Sequence, residues 1–222
     1  MAFATASNPV IASVGGGRDM GVADLGAYYV AVTPTPGTGI ITSGSVQAFT
    51  ETTPLLVVFN AGTLNIYPAH LHLRVSAAGA TDSVATFLTN TIDVGNRLSA
   101  IGSGVTLVKA NMNSGSAVTS SAVCTAGPIT ATAATGARRI VSHSAVRSIK
   151  IGVIHDTISM NWGAAHQSLV STLIDNTTTH SDVVINNAPI VVGPGQSMVL
   201  VHWAASQTTG TTYEIEFAYV EK

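Results

Sequence analysis

From residue 54 onward the chain is a succession of short apolar runs, each closed by glycine, proline, asparagine or serine. They read "PLLVVFN", "IYPAHLHLRVSA", "VATFLTNTIDV", "GVTLVKANMN", "AVCTA", "RRIVSHSAVRSIKI", "TISMNWG", "DVVINNAPIVV", "QSMVLVHWAA" and "TTYEIEFAYVE". Breaks recur at about every 8 to 12 residues, the spacing of a sandwich or barrel rather than of helices. The strongest helical stretch, "GAAHQSLVSTLID", places Leu169, Leu173 and Ile174 on one face, but it has no capping box and serine and threonine fill its middle. No internal repeat is visible, which disfavours solenoids and propellers. The pattern therefore predicts an all-β chain, an antiparallel β-sandwich with the jelly roll as one wiring of it.

The last two runs carry the clearest periodicity. From Tyr213 to Tyr219 the odd positions are large and apolar and the even ones polar or small, as in a half-buried antiparallel strand. Met198 to Trp203 is apolar at odd and even positions alike, so that strand must be covered on both sides, by a second sheet and an arm or by another subunit. Before it, Gly193-Pro194-Gly195-Gln196 reads as a type II turn: proline presets φ at its second position and glycine supplies positive φ at its third.

Ahead of residue 45 glycine and proline interrupt the chain every few residues, leaving only "AYYVAV" as a strand. The sequence thus divides into an extended N-terminal arm, residues 1–45, and a β-sandwich domain, residues 46–222. Tyr28, Tyr29, Val30 and Val32 are too apolar to remain in water, so the arm is expected to dock on a neighbour or on its own domain, and these four residues are the interface candidates.

Composition points the same way. Charged residues make up 9% of the chain and mean hydropathy is +0.40, whereas ordinary domains carry about 25% charge. Much of the nominal surface is then expected to be covered by neighbouring subunits, because obligate interfaces resemble a core cut in half. The net charge is −2 and only nine residues are Lys or Arg, too few for a phosphate-binding surface, so no nucleic-acid partner is predicted. Arg138, Arg139, Arg147 and Lys150 read as exposed positions of neighbouring strands. Cys124 stands alone, which rules out an intrachain disulfide. The opening "MAFATASNPVIASVGGG" has neither a basic leader nor a compact apolar block, and no apolar run is long enough for a spanning helix, so neither a cleaved leader nor a membrane partner is expected.

Chemistry-bearing motifs are sparse. His70 and His72 share one face of a strand, the spacing of metal-binding jelly rolls, yet no glutamate follows before Asp82, and no metal is predicted. His155-Asp156 is not matched by a nucleophile elbow, which leaves no catalytic residue to name and no cofactor. Trp162, Trp203 and His202 are the candidates for a sugar-stacking platform, against the alternative that they fill the sandwich core. Asn176-Thr177-Thr178 matches a glycosylation acceptor and is read as chance.

Three segments carry a family resemblance: the asparagine-terminated "PLLVVFNAG" with "IYPAHLHLRV", the loop "GNRLSAIGSGVTLVKANMNSGSA", and "NNAPIVVGPGQSMVLVHWAASQTTGTTYEIEFAYVEK". Covering about half of the chain, they resemble the small β-sandwich structural proteins of tailed bacteriophage virions, the decoration or cement proteins and related capsid- or tail-associated proteins. The resemblance implies a non-enzymatic virion component, often a homotrimer, whose partners are its own copies and the major capsid protein or other virion proteins. The alternative within the same setting is a tail- or fibre-associated receptor- or glycan-binding module.

Overall fold

The computed structural model describes residues 18–42, 48–79, 86–133, 139–146, 154–163, 169–171, 182–204 and 209–222. A short helix α1 (Arg18–Asp24) precedes β1 (Tyr28–Val32), β2 (Ile40–Ile41), β3 (Leu56–Asn60), β4 (Ile66–Ala77) and β5 (Thr86–Val94). Next come β6 (Leu98–Ala100), β7 (Val105–Thr106), β8 (Val108–Asn111), β9 (Ala122–Ala126), β10 (Thr130–Ala131) and β11 (Arg139–Val146). The last are β12 (Thr157–Trp162), β13 (Leu169–Ser171), β14 (Asp182–Asn187), β15 (Gln196–Ala204) and β16 (Thr212–Glu221). Among the described residues the chain is all-β apart from α1.

Two sheets hold the core. The larger runs β13-β14-β12-β4-β16-β1-β8, with β2 also paired to β16, and the second runs β11-β5-β15-β3-β9-β7. Neighbours are antiparallel except β12 and β14, which pair in parallel and so depart from the antiparallel wiring of a jelly roll. Period-2 alternation turns Leu71, Leu73, Met160, Ile215 and Phe217 of the larger sheet toward Leu56, Val58, Leu88, Met198 and Leu200 of the second, and all belong to one buried cluster.

β15 is apolar on both faces because both are covered by this same chain. Its outward Val199 and Val201 form a second cluster with Val57 and Ile129, against which Phe49, Leu98 and Trp203 pack. The cover is the ribbon of β6 and β10 with the segment around Phe49, pinned by Arg97: its guanidinium bonds Asp93 at 2.5 Å and the Thr132 carbonyl at 2.6 Å, and lies 3.5 Å from Glu51.

The turn ahead of β15 has the expected geometry. Gly195 adopts φ 70°, the Gln196 amide donates to the Gly193 carbonyl at 3.0 Å, and the Gly195 amide reaches Asn60 at the end of β3. Asn60 is buried, and its side-chain amide donates to the Leu64 and Val192 carbonyls while accepting from the Gly62 amide. One asparagine thus closes its own loop and ties the turn to it.

Of the segment expected as an arm, residues 1–45, the structure describes residues 18–42. β1 is an inner strand of the larger sheet, hydrogen-bonded to β16 on one side and β8 on the other. Its alternation sends Tyr29 and Ala31 into the core, at 2% and 0% exposure, and Tyr28, Val30 and Val32 to the outer face, half-buried. The segment docks on its own domain. Residues 1–17 and 43–47 lie outside the described residues, as does most of the helical candidate, whose residues Leu169–Ser171 are strand β13.

Two outcomes follow from this packing. Phe217, wholly buried between Trp162 and Tyr219, should cost about 3 to 5 kcal/mol when replaced by alanine. Glu216→Ala, on the exposed face of the same strand, should change little, and urea titration of both variants checks the register. Deleting residues 1–45 should abolish cooperative unfolding altogether, because it removes Tyr29 from the core and orphans the ladders of β16 and β8; a truncated chain that melts like the full one would contradict the inner-strand role of β1.

Candidate functional site

The outer face of the larger sheet follows directly from the strand registers. One row crosses it as Val108, Val32, Glu216, His72, Ser159 and Val184; the next as Ala110, Val30, Ala218, His70, Asn161 and Asn186. Beyond them lie Tyr28, Val220 and Tyr67 at one end, and Glu214, Arg74, Thr157 and Asp182 at the other. The half over β8, β1 and β16 is mostly apolar, and the half over β4, β12 and β14 is polar.

The polar half is internally bonded. His70 Nδ1 pairs with Asn161 Oδ1 at 2.8 Å, and Asn161 Nδ2 donates to Asn186 Oδ1 at 3.2 Å. His72 Nδ1 pairs with the Ser159 hydroxyl at 3.1 Å. The two rings stand parallel with centroids 6.0 Å apart, and burial, then the neighbouring His70, lowers the His72 pKa below the usual histidine value. Arg74 is ion-paired with Glu214, and both line a cleft of about 460 Å³ with His72, Glu216, Val32 and Pro36. Among the described residues no group of three or more His, Cys, Asp or Glu side chains converges as a metal site.

The three residues named for a sugar platform are not brought together. Trp162 is 8% exposed and meets Phe217 edge-on at 6.2 Å in the core. His202 is 3% exposed, on the inner face of β15, where its Nε2 pairs with the Tyr213 hydroxyl of the opposite sheet at 3.2 Å. Burial pushes its imidazole down to about 4 and pushes the Tyr213 phenol up. The sequence could not show this, because a strand apolar on both faces does not announce which face is inner.

Only Trp203 points outward, and it has companions the sequence reading missed. It stacks on Phe87 with centroids 4.1 Å apart, and His143 lies 5.6 Å from Phe87 and 6.1 Å from Trp203. The Thr89 hydroxyl links them, in contact with Trp203 Nε1 at 3.4 Å and His143 Nδ1 at 2.8 Å. The three rings come from β15, β5 and β11, whose register alone makes them neighbours. Because Trp203 and Phe87 cover one face of each other, less aromatic surface is free for a ligand than separate rings would give.

The remaining motifs have structural roles or lie elsewhere. His155, at φ 78°, and Asp156 form the turn into β12, hydrogen-bonded through the backbone to Val75. Cys124 is buried, and burial pushes its thiol up to about 12. Arg139 is exposed on β11, while Arg138, Arg147, Lys150 and Asn176-Thr177-Thr178 lie outside the described residues. No helix among the described residues is long and apolar enough to cross a membrane. Comparison with protein-family models, with curated proteins and with solved structures finds no match to this chain.

The buried His202 makes stability pH-dependent. Its folded pKa is depressed, so between 6.5 and about 4 the unfolded chain binds more protons than the folded one. The contribution is full above pH 6.5 and is lost as pH falls toward 4, about 3 kcal/mol in all. Chemical denaturation across this window should show that loss, and His202→Gln, which keeps an acceptor for Tyr213, should flatten it.

Proposed function

We propose that the chain is a non-enzymatic structural component of a bacteriophage virion, a capsid decoration or cement protein that binds the assembled shell and stabilises it. The observation that carries this reading is the outer face of the larger sheet, where Val108, Val30, Val32 and Val220 occupy positions that alternation normally gives to polar residues. A charge-poor chain with such a face is suited to lie against other protein. The sequence resemblance adds the setting: copies associated as a homo-oligomer, a homotrimer in that reading, seated on the major capsid protein. Each contact of subunit with lattice lowers the free energy of the closed shell by mass action.

A second reading, a tail- or fibre-associated glycan-binding module, is favoured by the outward Trp203 with Phe87 and His143. The two readings separate in one experiment. Purified protein added to shells that lack it should co-sediment at a fixed stoichiometry and raise the temperature at which the shells open, and Trp203→Ala should leave this intact. Absence of shell binding, with host-surface binding that Trp203→Ala removes, would establish the glycan reading instead.

A further inference from the structure

We infer that the cleft of about 410 Å³ where β4 and β12 part is a binding site for a small organic acid, a compact apolar body carrying one carboxylate. The site shares no residue with the Trp203 cluster, and it holds whether or not the chain sits on a shell.

The cleft follows from where a ladder stops. β12 pairs with β4 only as far as Asn161 opposite His70, whereas β4 runs on through Ala69, Pro68 and Tyr67 to Ile66. Pro68 has no amide hydrogen for a further rung. After Trp162 the chain turns at Gly163, which adopts φ 84° and donates its amide to the Asn187 carbonyl at 3.1 Å. Pro189, Ile190, Val220 and the buried Val22 of α1 complete the walls. Rings and branched alkyl groups thus enclose a volume within the range of small-molecule sites, about 300 to 1,000 Å³, so the occupant is compact and largely apolar.

The polar groups select the charge of the occupant. Trp162, in the wall of the cleft, is 8% exposed, and its indole Nε1–H has no hydrogen-bond acceptor in the protein. Level with it on β14, the buried Asn187 carries a second unpaired donor in Nδ2. A buried donor without a partner is costly, and an acceptor brought in beside it relieves that cost. The Tyr67 hydroxyl accepts from Asn65 Nδ2 at 3.4 Å and keeps its own hydrogen to give, and the exposed Lys222 adds a cation. No carboxylate lines the cleft. Glu221, next to Lys222 in sequence, is turned instead to the Ser120 hydroxyl and the Ala122 amide. Donors with one ammonium and no acid complement a single carboxylate, whereas a phosphate would need further cations.

Titration of the full chain with cyclohexanecarboxylate, followed by 1H–15N spectroscopy, tests the inference. The chain has two tryptophans, so there are two indole N–H signals, and Trp203→Phe tells them apart. The acid should shift the Trp162 signal saturably, with a dissociation constant of about 1 mM or below, and leave the Trp203 signal in place. Lys222→Gln, which changes only an exposed side chain, should bind the acid at least about fivefold more weakly. Cyclohexylamine at the same concentrations should move neither signal. Should Trp203→Phe misfold, calorimetric titration of the wild type and of Lys222→Gln with the acid and the amine gives the same comparison. A Trp162 signal that stays fixed up to about 10 mM acid, equal binding of the amine, or full affinity in Lys222→Gln would overturn the inference. None of these outcomes bears on shell binding, so the structural-protein reading is tested separately.

Discussion

The two-sided burial of β15 is the constraint on which the rest of the molecule depends. Met198 and Leu200 face the larger sheet while Val199 and Val201 face the opposite way, and all four are at most 1% exposed. A central strand of this kind needs a second layer on each side, because its outer face in water would forfeit the burial of whole side chains, each worth about 1.5 to 3 kcal/mol. The sandwich supplies one layer. The chain supplies the other by folding β6, β10 and the segment around Phe49 back over the sheet, and Arg97 locks that cover to Asp93 beneath it.

What could be read in the sequence was local, and what could not was long-range. The alternation of β16, the double-faced β15, the Gly195 turn and the strand within "AYYVAV" all follow from residue type and period. Where β1 goes does not, because glycine and proline on either side mark it as isolated without saying that β16 and β8 will receive it. The outcome depends on Tyr29, whose ring stacks on Tyr219 at 5.7 Å from the neighbouring strand. The same limit explains the aromatic residues. Trp203, Phe87 and His143 lie on three segments far apart in sequence and become neighbours only through the register of β15, β5 and β11, whereas Trp162, equally conspicuous, falls on the inner phase of β12 and is absorbed by the core.

The termini of the strands are fixed by polar groups that replace missing ladder partners. Asn60 satisfies the carbonyls of two loops at the end of β3. Glu221, 6% exposed at the end of β16, accepts from the Ser120 hydroxyl at 2.6 Å and the Ala122 amide at 3.1 Å, so the last strand is bound to the start of β9 in the opposite sheet. Such contacts span the sandwich where apolar packing thins out, and each would be costly to remove singly because it would leave a buried polar group unpaired.

These polar clamps bear on the surface as well. Of a small complement of charged residues, Arg97, Asp93, Asp156 and Glu221 are buried, and the Lys109 ammonium is engaged by two backbone carbonyls. Charges that ordinarily keep copies of a protein apart are here spent inside, holding loops and strand ends in place. Among the described residues the exterior is therefore less charged than the composition suggests, with the exposed Glu216 beside the apolar rows over β8, β1 and β16. A change that freed Lys109 from Ser120 and Ala122 would loosen the start of β9 and leave its ammonium unpaired on the face of β8 opposite Val108 and Ala110.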